Sequence, residues 1–165
     1  MKLRLHDAFV TPNYHKRVHF ELDLSENELL SERGIQAHPC DVTLEIRSGA
    51  DIVTARFFGT VEYRTQCDRC LKPIDRAMQF DYTKDVQKED ISDEFDGIIL
   101  QADETFDATE EVAGEVLVSF PMKHLCKDDC KGLCPVCGCD RNEQECSCVQ
   151  KELDPRLEVL RNLSL

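Results

Sequence analysis

The sequence predicts an α+β protein: an antiparallel β-sheet body with a few short helices, followed by a small Cys-rich metal-binding C-terminal segment. Two alternating runs predict the sheet. Val42, Leu44 and Ile46 alternate with Thr43, Glu45 and Arg47, and Val53, Ala55, Phe57, Val61 and Tyr63 keep the same period of two. The third observation is CKDDCKGLCPVCGCDRNEQECSC, residues 126–148, which holds seven of the ten cysteines. Together they divide the chain into a sheet domain over 1–125, a zinc-knuckle segment over 126–150 and a short helix over 151–165.

In chain order, residues 2–6 and 18–24 alternate weakly and read as short strands. Ser25-Glu26-Asn27-Glu28 fits a capping box, and Gly34 ends the helix that follows. Ser48-Gly49-Ala50-Asp51 is a turn between the two alternating runs, and Gly59 is expected to bulge or bend the second. After Cys67-Asp68-Arg69-Cys70-Leu71-Lys72-Pro73, Ile74, Met78, Phe80 and Tyr82 share one face of another strand. The cysteine turn therefore falls at a hairpin tip. Residues 87–97, QKEDISDEFDG, are a polar loop with little to bury, and Ile98-Ile99-Leu100 is a further strand. Asp107 caps a helix carrying Val112, Val116 and Phe120, which Pro121 stops. Asp154-Pro155 starts a last helix, with Leu157, Leu160 and Leu163 on one side.

The net charge of −13 is concentrated. Residues 85–115 hold 12 Asp and Glu against one Lys, a net of −11, leaving −2 for the remainder. Such a run is most simply a solvated surface, and the chain as a whole lacks the cationic excess that phosphate binding draws on. The N-terminal residues contain no apolar stretch resembling a signal peptide, and no run approaches the length of a membrane span, so a soluble cytoplasmic protein is expected. No phosphate-cradling glycine loop, nucleophile elbow or metalloprotease histidine spacing is present, so no enzyme is expected.

In a reducing compartment, clustered cysteines point to metal rather than disulfides. Cys134-Pro135-Val136-Cys137-Gly138 has the form of a metal knuckle, in which two thiolates face backbone N–H groups and Gly takes a positive φ. Cys146 and Cys148 complete a four-thiolate set with Cys134 and Cys137. Such a set is closed and points first to Zn2+, although iron in a rubredoxin-like site would use the same ligands. Cys126 and Cys130 are a surplus. They form a second site with Cys67 and Cys70, or Cys130 replaces one of the first four, or Cys67 and Cys70 pair with Cys134 and Cys137 as in a zinc ribbon. Cys40 and Cys139 are read as bystanders, Cys40 a small buried hydrophobe. Thiol redox catalysis ranks low, because Cys67 and Cys70 lie between strands rather than at a helix N-terminus.

The chain resembles the YceD family of large ribosomal RNA subunit accumulation proteins. The resemblance rests on Cys67-Asp68-Arg69-Cys70-Leu71-Lys72-Pro73, on Asp129-Cys130-Lys131-Gly132-Leu133-Cys134-Pro135-Val136-Cys137-Gly138 with Cys146-Ser147-Cys148, and on Asp154-Pro155-Arg156-Leu157. It implies a non-enzymatic role in synthesis, processing or stability of the large-subunit (23S) rRNA. The chain departs from the family at Cys139-Asp140-Arg141-Asn142, where Asn-Leu-Asn is common. Two modes of action follow. Direct rRNA contact would use Arg56, Arg64, Arg69, Lys72 and Arg76 around the hairpin, with Lys123, Lys127 and Lys131. Alternatively, the acidic 85–115 segment engages a basic ribosomal protein, or a basic partner outside ribosome assembly. A thiol redox or metal-handling protein is the third reading.

Overall fold

The computed structural model describes residues 1–49, 52–88 and 96–148. The helix expected over 151–165 and the centre of the acidic loop lie outside the described residues.

The elements run β1 (Lys2–Arg4), α1 (His6–Val10), β2 (His15–Leu22), α2 (Glu28–Glu32), β3 (Gln36–Ala37), β4 (Cys40–Ser48), β5 (Val53–Gln66), β6 (Pro73–Gln87), β7 (Ile98–Ile99), β8 (Thr105–Asp107) and α3 (Ala108–Ser119). The main sheet has the order β2-β4-β5-β6-β7, with β3 also on β5, while β1 and β8 pair separately. All pairs are antiparallel except β6–β7, which is parallel. The α+β, sheet-centred class is as the alternation predicts, with that one parallel edge added.

The long β5–β6 hairpin sets the frame. Its register runs without interruption from Val53↔Val86 to Gln66↔Pro73. Val53, Ala55, Phe57, Val61, Tyr63 and Thr65 all point to one buried face. Gly59 makes no bulge: it pairs with Val42 on one side and Phe80 on the other. The reason for glycine is space, because a Cβ there would stand 2.7 Å from the Phe80 ring and 2.8 Å from the Asp41 carbonyl oxygen. Alternation keeps its parity through this position, which a bulge would have shifted.

One apolar core joins β4, β5 and β6 to α3, whose Ala108, Val112 and Val116 are buried. Asp107 caps α3 as expected, its carboxylate accepting from the N–H groups of Thr109 and Glu110. Phe120 closes the far end, edge-on to Tyr63 at 5.1 Å. Inside the β2–β4 pair, Glu45 is only 3% exposed yet accepts from both Arg17 and Arg47.

Two local readings change. The cap of α2 is Asn27, whose Oδ1 accepts from the Leu30 N–H, rather than Ser25. Asn27 is itself a strong N-cap residue and stands immediately before the helix. Gly34 does end this helix, at φ 66°. The five-residue α1 and the two-residue β3 were not expected, since neither is long enough to impose a period.

The chain forms two compact units. One comprises Met1–Gln66 with Pro73–His124; the other takes the hairpin tip, Cys67–Lys72, together with the chain from Leu125 onward. The tip thus belongs with the cysteine segment.

Candidate metal centre

Seven cysteines from 126–148 and two from the tip share the second unit. Local backbone explains how their thiols converge. At the tip, the Leu71 N–H donates to the Cys67 carbonyl (2.9 Å) and the Cys67 N–H to the Lys72 carbonyl (2.8 Å), with Leu71 at φ 60°. Around Cys134 the same turn recurs: the Gly138 N–H donates to the Cys134 carbonyl (2.9 Å), with Gly138 at φ 73°. These are two knuckles of one design, and only the second places glycine where the left-handed conformation is easy. Gly132, at φ 71°, brings the intervening chain against the tip: a Cβ would lie 2.9 Å from the Arg69 carbonyl oxygen.

Two groups result. The sulfurs of Cys67, Cys70, Cys126 and Cys130 lie within 4.8 Å of one another, as do those of Cys134, Cys137, Cys139 and Cys146. In the first, the Cys67–Cys130 sulfurs are 3.8 Å apart and the Cys70–Cys126 sulfurs 3.6 Å. A tetrahedron with Zn–S bonds of about 2.3 Å has an edge of about 3.8 Å, so this set has the dimensions of a metal site. Soft thiolates in fours suit zinc or iron and leave no open position for a substrate.

The surroundings favour thiolate. Burial pushes the Cys67 thiol up, but the backbone N–H groups of Cys126, Cys70 and Arg69 outweigh it and bring it to about 6. N–H groups of Cys137 and Val136 bring Cys134 to about 6. Burial, then the neighbouring thiols of Cys130 and Cys70, push Cys126 up to about 12. Cys130 and Cys137 are lowered as well, so each group carries two thiols biased toward thiolate beside at least one, Cys126 or Cys139, that holds its proton and that a bound cation would deprotonate. Asn142 ties the groups' flanks together: its Nδ2 donates to the Cys130 sulfur (3.4 Å) and to Asp140, and its Oδ1 accepts from the Lys131 N–H (2.9 Å).

The residues singled out in the sequence fall as follows. Cys67, Cys70, Cys126 and Cys130 come together as one group. Cys134, Cys137 and Cys146 come together in the other with Cys139, while the Cys148 thiol hydrogen-bonds Cys137 and lies beside Cys134. Cys139, read from the sequence as a bystander, stands inside the second group instead, and Asn142 was not singled out as a contact. The signal for Cys139 is its spacing, since Cys137-Gly138-Cys139 repeats the i, i+2 form of Cys146-Ser147-Cys148.

The basic candidates separate. Arg64 is paired with Asp75 across the hairpin (2.8 Å), and Arg56 with Asp81. Arg69 donates to the Cys130 carbonyl (2.7 Å), and Lys72 reaches Asp140 (2.9 Å) and Glu143 (2.6 Å). Lys127 lies 3.7 Å from Asp129, and Arg76 donates to the Asp75 carbonyl. Lys131 and Arg141 line a cavity of about 290 Å³ beside Cys134, Cys146 and Cys148. The acidic segment is partly neutralised within the sheet unit: Lys84 meets Glu111 and Glu115, and Glu104 meets Lys88 and His6.

Fold and site define a sheet protein carrying a cysteine-knuckle unit with the donors for metal. The chain belongs to the YceD family, described as the large ribosomal RNA subunit accumulation protein, which matches residues 58–164. That family is described by its connection to large-subunit rRNA rather than by a reaction. Uncharacterized proteins of Mycobacterium bovis and Mycobacterium tuberculosis are each 31% identical over 105 residues, covering 59% of this chain and 49% of theirs. One from Mycobacterium leprae is 26% identical over 106 residues, 61% of this chain and 48% of its own. The chain thus spans about half the length of the curated relatives it matches. No solved structure matches it. No helix among the described residues is long and apolar enough to cross a membrane.

Proposed function

We propose that this chain is a non-catalytic, cytoplasmic factor that supports synthesis, processing or stability of large-subunit (23S) rRNA, and that zinc holds its cysteine unit together. The family match carries the pathway, since it takes in both knuckles and the strands leading to the first. Zinc is preferred over iron because a closed tetrathiolate set with no open position serves architecture and asks nothing of redox chemistry.

The contact is with a basic ribosomal protein that accompanies the rRNA. Arg64, Arg69 and Lys72 are committed to partners within the chain, which counts against the hairpin as an RNA surface. A net charge of −13 supports a cationic partner, attracted by a field that salt would screen.

Affinity-tagged protein purified at low and moderate salt tests both levels. Large-subunit precursors and one basic ribosomal protein are expected in the eluate, surviving RNase and diminished by salt. Binding lost with RNase, and rRNA fragments retarded by the pure protein, would replace the protein contact by an RNA one. Unchanged 23S levels after depletion would remove the proposed function itself.

A further inference from the structure

A fifth thiol, Cys148, adjoins the four of the second cysteine group, whereas none adjoins the first among the described residues. Cys134, Cys137 and Cys146 gather with Cys139, and Cys148 shares one cavity wall with Cys134 and Cys146. Cys139 stands within 4.8 Å of all three, while the Cys148 thiol bonds Cys137 and adjoins Cys134. Both extra thiols sit two residues from a shared ligand, Cys139 after Cys137 and Cys148 after Cys146. Both are half-buried, as is Cys126 of the first group, whose other three thiols are 5% exposed or less. Flanked by Leu125 and Leu133, that first group has no fifth sulfur among the described residues.

We propose that Cys139 and Cys148 are interchangeable fourth ligands of the second site, which makes it the exchangeable metal site and leaves the first as the permanent one. The inference rests on the metal reading above. Its chemistry is a ligand exchange with no change of oxidation state: as the incoming thiol binds through sulfur, its proton passes to the outgoing sulfur, and charge and thiolate count are conserved. A spare donor held alongside removes the need for a vacant position during exchange, so release to a competing chelator is quicker than from a site with four donors only.

Full-length protein, purified reduced and loaded with Zn2+ or Co2+, tests this through native mass spectrometry, Co2+–thiolate spectra and the rate of release to a chromophoric chelator. Wild type is expected to hold two ions, one leaving several-fold faster than the other. Cys139→Ala and Cys148→Ala should each still hold two ions with four-thiolate Co2+ spectra, and should release the faster ion more slowly than wild type does. The double variant should hold one ion, and Cys67→Ala should lose the slow one, which also reports that the remaining site is intact. Two ions in wild type but one in either single variant would overturn the inference alone, as would two ions in the double variant. A single ion in wild type that is lost in Cys67→Ala would overturn it too. Wild type without any ion would overturn the metal reading and this inference with it.

Discussion

Leu71 holds a backbone conformation that L-residues with a Cβ adopt at a cost, φ 60°, and leaves 57% of its surface exposed, so burial does not offset the strain. At the equivalent place in the other knuckle stands Gly138. Leu71→Gly should therefore stabilise the folded protein by up to about 1 kcal/mol, read as a higher urea midpoint in the metal-loaded form. Gly59 has the opposite sign. Its missing Cβ leaves room for a ring and a backbone oxygen, and the oxygen cannot step aside. Gly59→Ala should cost about 1–3 kcal/mol in denaturant titration, with an unchanged slope. Glu45 provides a pH-dependent case. The Arg17 hydrogen bond, then the charges of Arg17 and Arg47, hold its carboxyl below the ordinary 4.5 against the effect of burial. A lowered folded value means stability present above 4.5 and lost as pH falls through the depressed value. Wild type should exceed Glu45→Gln in thermal stability at pH 7, and the gap should close on acidification below 4.5.

Among the elements, those that impose a period were legible and those that do not were not. The hairpin of β5 and β6 could be read residue by residue, because a sheet face buried on one side writes its register into the sequence. So could α3, from the Asp107 cap to Phe120. Replacing Asp107 by Ala strands two N–H groups at its start and should cost about 1 kcal/mol, with a small loss of helical dichroism. The single-turn α1 and the β3 pairing depend on long-range contacts that no short window contains. The Ser25 capping box was mistaken for a related reason. Four residues offered two polar caps, and the choice of Asn27 is made where Leu30 becomes buried, which is a tertiary fact. In the cysteine segment, spacing identified the knuckles but could not say which sulfurs meet, since Cys67 and Cys130 are brought together by the fold.

At the scale of the whole molecule, each unit has its own source of stability. The sheet unit has a continuous apolar core, whereas the buried cluster of the cysteine unit consists of Cys67, Cys70 and Cys130 with Leu125, Cys126 and Leu133 against it. Among the described residues this is little apolar area to order the segment, and the proposed metal would supply the difference. Stripping the ion with a chelator under reducing conditions should make the cysteines of 126–148 reactive to a thiol reagent while the sheet's far-ultraviolet signal persists. Loss of both together would show that the units are not independent. The charge asymmetry was plain in composition, yet its local neutralisation was not, because Lys84 on β6 meets acids on α3 and Lys88 meets Glu104, pairings made only by the fold.

The first cysteine group also sets an order of events during synthesis. Cys67 and Cys70 leave the ribosome long before Cys126 and Cys130, which follow 56 and 63 residues behind their partners. The β5–β6 hairpin, made of neighbours in the chain, can close in that interval. Its tip must then wait as a half-site of two thiols until the rest of the chain arrives. If the proposed ion closes this group, a cell short of it would accumulate chains with a paired hairpin and an open clasp, and supply of the metal would become a checkpoint in making this protein.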